Sequence, residues 1–174
     1  MSVLAKSSGG ISQISSILPS YTYFALSIPF ADMTPYVEAY QAYLDSKQAL
    51  PDYTKIQKNL KSRDKVSPSD FLRRIGVKEV ATATFGEPSD IRVVNLIKVS
   101  RQDTLMFKGT GVGSFKGYIP EVHEYAFPGH LAAVFGDYFK LDDESHFTYV
   151  DGWLITGSYE AVKEFQSGRA GEYT

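Results

Sequence analysis

The 174-residue chain contains no cysteine. That excludes disulfides, thiolate metal sites and a cysteine nucleophile, and it leaves the redox compartment open. No run of about 18 apolar residues occurs, and MSVLAKSSGGISQ at the start lacks the apolar centre of a signal peptide. Membrane insertion by this segment is therefore not expected. Neither sign of charge dominates: 18 basic and 20 acidic residues are interspersed, for a net charge of −2. Without a basic field to neutralise phosphates, nucleic acid is not an expected partner.

Aromatic residues, by contrast, are plentiful at 14%, with 12 tyrosines. Such richness suits β-sheet and core, and also faces that meet proteins or polysaccharides. The length fits one domain with a core of its own. Residues 1–18 read as a flexible N-terminal segment and 19–174 as a single domain.

Local order is clearest from His146 to Gly168. Asp151-Gly152 separates Phe147 to Val150 from Trp153 to Thr156, and Asp-Gly takes the two positive-φ positions of a type I′ hairpin turn. That register puts Val150 opposite Trp153 and Tyr149 opposite Leu154. Thr148, Val150, Trp153 and Ile155 then share one face, and Phe147, Tyr149, Leu154 and Thr156 the other. Both faces are bulky, so the hairpin is expected to be covered on both sides. Ser158 is placed to cap a helix from Tyr159 to about Gln166, closed by Gly168.

Upstream, Tyr21 to Ile28 alternates as a strand, with Thr22, Phe24, Leu26 and Ile28 on its buried side. Thr34 before Pro35 reads as a cap and first helical residue, opening a helix whose stripe is Tyr36, Val37, Tyr40, Tyr43 and Leu44. Tyr36, Tyr40 and Tyr43 are better explained by packing than by sugar stacking, because Val37 and Leu44 share their stripe. A helix is predicted over Tyr53 to Lys65. Another follows Ser67-Pro68-Ser69-Asp70, capped by Ser67 and ended by Gly76. Strands are predicted over Val77 to Phe85, Ile91 to Val99, Thr104 to Lys108 and Val122 to Phe127, with a helix over His130 to Phe139. The short connections favour antiparallel neighbours. The sum is an α+β domain, a mainly antiparallel sheet with helices packed on one face.

Candidate chemical motifs are sparse. Gly109 to Gly117, with Lys116, looks like a phosphate loop, but its glycine spacing is not that of a Walker loop and Pro120 follows where a helix must start. A mobile glycine loop is the better account. The three histidines, His123, His130 and His146, with Glu121 and Glu124 near the first, have no metal-ligand spacing. Together with Lys116 and Glu121 they are the only ligand-binding candidates; no metal site and no cofactor are expected. Asp142-Asp143-Glu144 reads as a solvated acidic loop rather than a calcium site. No serine stands in a Gly-x-Ser-x-Gly elbow.

Leu18-Pro19-Ser20-Tyr21-Thr22-Tyr23 opening a strand, and Asp151-Gly152-Trp153-Leu154-Ile155-Thr156-Gly157-Ser158 leading into a helix, resemble bacterial envelope proteins of unknown function. The resemblance implies an extracytoplasmic domain anchored through a segment outside this chain, and it carries over no catalytic residue. The expected function is a non-catalytic module contacting a protein or glycan in the cell envelope. The alternative is a small hydrolase or ligand-binding enzyme that gathers the histidines and nearby acids under the glycine loop.

Overall fold

The computed structural model describes residues 11–100 and 119–170. Gly109 to Gly117, Lys116 among them, and the strand expected over Thr104 to Lys108 lie outside that range. Among the described residues six strands form one antiparallel sheet: β1 (Thr22–Pro29), β2 (Val77–Glu87), β3 (Asp90–Val99), β4 (Ile119–Glu124), β5 (His146–Val150) and β6 (Trp153–Gly157). Their spatial order is β1-β2-β3-β6-β5-β4. The helices are α1 (Thr34–Ser46), α2 (Leu50–Asp64), α3 (Pro68–Arg74), α4 (His130–Phe135) and α5 (Tyr159–Ala170). The α+β class and the antiparallel sheet are as the sequence implies.

The sheet is built from two three-strand meanders. In each, a strand is followed by helical crossover and then a hairpin, β1 with β2-β3 and β4 with β5-β6. The meanders join where β3 pairs antiparallel with β6, from Asn95↔Thr156 to Lys98↔Trp153. The repeat is topological; the sequences of the halves share no common side-chain pattern. One consequence is that, among the described residues, β1 and β4, the first strand of each half, are the two outer strands.

The second hairpin follows its turn chemistry closely. Asp151 has φ 50° and Gly152 φ 85°, the left-handed pair that a type I′ turn requires. Val150↔Trp153 and Tyr149↔Leu154 are in register, so the faces alternate as expected and both are buried. On one face Ile28, Val80, Ile97, Leu154, Tyr149 and Phe147 pack under α1, α3 and α4. On the other, Ala81, Ala83, Phe85, Leu96, Trp153 and Ile155 pack under Ala161 and Phe165 of α5 and under Ile17. Among the described residues, α1, α3 and α4 thus cover one face, with α2 packed on those helices, and α5 covers the other. The core reaches back to Ile17, which is buried ahead of Pro19.

Several boundaries differ from the sequence expectation, each for a local reason. Thr34 is the first residue of α1 rather than its cap; the Asp32 carboxylate accepts the Thr34 N–H at 2.9 Å. Helix α2 begins three residues before Tyr53, at Leu50-Pro51, with proline again in the first turn. Gly136, at φ 102°, separates α4 from a single 3₁₀ turn over Asp137–Phe139 where one longer helix was expected. Helix α5 runs on past Gly168 to Ala170. The caps at Ser67 and Ser158 stand as read, their Oγ atoms accepting the N–H of Asp70 and Ala161.

Candidate functional site

Two regions of the described structure exceed what packing alone requires: a buried polar cluster between the sheet and the helices, and the outer edge of β1. The cluster starts from an anomaly in β3, whose apolar run Val93-Val94-Asn95-Leu96-Ile97 carries one amide at its centre. Asn95 is fully buried and sits beside Thr156 of β6. A buried amide must find partners. Its Nδ2 donates to the Phe139 carbonyl at 2.7 Å and to Glu144 Oε2 at 3.1 Å. Thr156 Oγ1 donates to the same carboxylate oxygen at 2.8 Å, and the Gly129 N–H to Oε1 at 2.7 Å.

Glu144 is therefore no part of a solvated acidic run. It turns inward to tie the 140–145 connection to β3, β6 and the start of α4, and is 9% exposed. Burial pushes its carboxyl above the ordinary range, against the three donors and the Arg63 charge, which favour the anion.

A second polar set lies at the end of α2. Asp64 Oδ2 accepts from Arg63 Nη2 at 2.6 Å and lies 2.7 Å from His130 Nε2. Arg63 also donates to the Pro128 carbonyl at 2.7 Å. The His130 ring is fully buried, edge-on to Phe71 and Phe127 with centroids 5.4 Å from each. Burial lowers its pKa, outweighing the attraction of Asp64. For Asp64 burial is again the largest single influence and raises the carboxyl, but the hydrogen bonds from Arg63 and His130 together outweigh it and hold it low. The neutral ring then donates from Nε2 to Asp64, and Nδ1 has no partner among the described residues.

A carboxylate-oriented histidine with its other nitrogen free is the base half of a nucleophilic triad. Here, among the described residues, the ring is fully buried and no hydroxyl stands on Nδ1. What the arrangement does is fasten α2 to α4.

The other candidates are dispersed. His123 pairs with Phe147 across β4 and β5, and their rings lie 5.6 Å apart on the face covered by α1 to α4. His146, one residue before Phe147, points to the opposite face, where its ring meets Tyr159 of α5 edge-on at 5.3 Å and its Nδ1 lies 2.8 Å from Ser145 Oγ. Glu121 lies on β4 at the sheet's outer strand. Among the described residues, no group of three histidine or acidic side chains is placed to hold a metal ion. A cleft of about 260 Å³ lies between Val93, Lys140, Asp142 and Ser158. Its serine already serves as the α5 cap. The α1 tyrosines form a stacked ladder that passes from core to surface: Tyr36 is buried, Tyr40 stacks on it, and Tyr43 is 47% exposed.

At the edge, β1 departs from its expected pattern. Phe24, assigned to the buried side, is 55% exposed, and Tyr23 is 56% exposed. Phe24 lies in one cross-strand row with Thr84 and Val93, none of them part of the buried cluster beneath the helices, and Val93 is 39% exposed. Among the described residues no strand pairs with the outer side of β1. Exposed edges are normally guarded by charge, proline or irregularity. Strand β4 has all three: Pro120, Glu121, His123 and Glu124, and a register shift between Ile119 and His123. Strand β1 shares the irregularity, with a register shift between Thr22 and Phe24, and is closed by its one proline, Pro29, but it has no charged residue.

Sequence reading missed Asp64, Arg63, Glu144 and the β1 edge. The lone Asn95 in an apolar strand was the one signal of the buried cluster. The contrast between a neutral and a charged outer strand becomes a signal only once the strand order is known. No protein-family model, no curated protein and no solved structure matches this chain.

Proposed function

We propose that this chain is a non-catalytic contact domain of a bacterial cell-envelope protein, and that its working surface is the outer edge of β1 with Tyr23 and Phe24. The observation that carries this is the eight-residue outer strand without charge and with two aromatic side chains more than half exposed. A strand in that state offers main-chain donors and acceptors to an added strand, while aromatic side chains supply contact area at small entropic cost. A protein segment in extended conformation suits both features and is favoured over a glycan. The envelope setting rests on the resemblance of the two chain ends and is the expectation carried from the sequence. The hydrolase alternative draws no support from the described residues, because His123 and His146 occupy opposite faces and His130 is sealed.

The test is a residue-resolved NMR titration with extended peptides of alternating apolar residues and, separately, with cell-wall glycan fragments. Shift changes confined to Thr22–Pro29 and its β2 neighbours on adding peptide are expected. Changes centred elsewhere, or produced by glycan alone, would overturn the assignment to the edge.

A further inference from the structure

We infer that the partner of the β1 edge is a second copy of this chain, paired β1 to β1 in antiparallel fashion about a two-fold axis. The inference rests on the reading of β1 as a contact edge and names its occupant. Three observations favour a copy over an unrelated chain.

The first is charge. No residue from Ser7 to Ala31 is charged, so two β1 strands meet without like-charge opposition, and there is no charge on the strand to select a different partner. The second is closure. Antiparallel pairing of one strand with itself is isologous and consumes both uncharged β1 edges at once. What remains outside is β4, whose glutamates, proline and register shift deter further addition. The third is continuity. The row Phe24, Thr84 and Val93 carries surface outward to the edge, where Leu26 of a copy, facing Phe24 when the axis passes at Ala25, extends it. The fold already joins its own two halves by antiparallel pairing at β3 and β6, so the junction repeats a form the sheet accommodates.

The experiment is sedimentation velocity over a concentration series of the full chain, its Ala25→Lys and Ala25→Glu variants, and their equimolar mixture. Ala25 is exposed and lies at the middle of β1, where a two-fold axis brings it near its own counterpart. Wild type is expected to dimerise, each variant alone to dissociate with a dissociation constant raised about tenfold or more by like-charge opposition, and the mixture to recover the dimer. Tyr23→Lys is a second blocking variant should either Ala25 variant fail to fold. Amide exchange of β1 is followed in the same samples.

A dimer insensitive to these charges, or a monomer at every concentration whose outward-directed β1 amides exchange freely, overturns the second-copy inference and leaves the edge open to another chain. A monomer whose β1 amides are all protected at every dilution overturns the inference together with the contact reading beneath it.

Discussion

His130 Nε2 lies 2.7 Å from Asp64 Oδ2, joining the first residue of α4 to the last residue of α2 inside an aromatic wall. Removing the acceptor leaves a buried ring donor and the Arg63 guanidinium without their partner. Asp64→Ala is therefore expected to cost about 2 kcal/mol. Asp64→Asn, which keeps an acceptor oxygen, is expected to cost less. Urea unfolding of the two variants beside wild type measures the difference; equal stability of all three would contradict the bridging role.

The two buried polar sets give stability opposing pH dependences. His130 is lowered from 6.5 and Asp64 from 3.8 in the folded chain. In both cases the unfolded state takes up protons first as pH falls, so stability drops below about 6.5 and again in the carboxylate range. Glu144 is raised from 4.5, so the folded state holds its proton longer and its contribution is lost as pH rises through 4.5 and upward. The stability advantage of wild type over Glu144→Gln should accordingly shrink as pH rises from 4.5. Denaturant melts of both proteins between pH 4 and 8 check this, and a growing advantage would show that the carboxyl is lowered rather than raised.

Turn chemistry in the second hairpin sets a third expectation. Gly152 has φ 85°, and a Cβ built there would approach Lys98 Nζ at 2.9 Å, the movable end of a side chain. Strain is then mostly in the backbone, and Gly152→Ala should cost about 1 to 2 kcal/mol. Asp151→Asn, which tolerates the left-handed region equally well, should be near neutral. Thermal melts of the two variants separate these effects.

The tyrosine ladder on α1 should be energetically graded. Tyr36, buried and 5.2 Å from Phe135 between ring centroids, is expected to cost about 3 kcal/mol when replaced by alanine. Tyr43, 47% exposed, should cost within about 0.5 kcal/mol. Unfolding free energies of the two variants test whether the ladder is core at one end and surface at the other. A similar cost at both positions would mean that Tyr43 packs more closely than its exposure implies.

Much of the fold was legible because it follows from short-range rules. Asp151-Gly152, the caps at Ser67 and Ser158, and the alternation of Phe147 to Thr156 all act within a few residues. Features that depend on which strands become neighbours were not legible. Phe24 alternates like a buried residue, but its row with Thr84 and Val93 is not part of the buried cluster beneath the helices. Glu144 looks like a solvated acid beside Asp142 and Asp143 until β3 and β6 bring Asn95 and Thr156 together beneath it. The histidines could not be placed from sequence, since a one-residue offset between His146 and the Phe147↔His123 pair sends the two rings to opposite faces.

Among the described residues no strand pairs with the outer edge of β1, and residue-resolved amide exchange on the dilute chain tests most directly whether that edge is open. Within Thr22–Pro29, amides directed at β2 should exchange slowly and those directed outward quickly, in alternation along the strand. Slow exchange at every β1 amide under dilute, monomeric conditions would contradict an open edge.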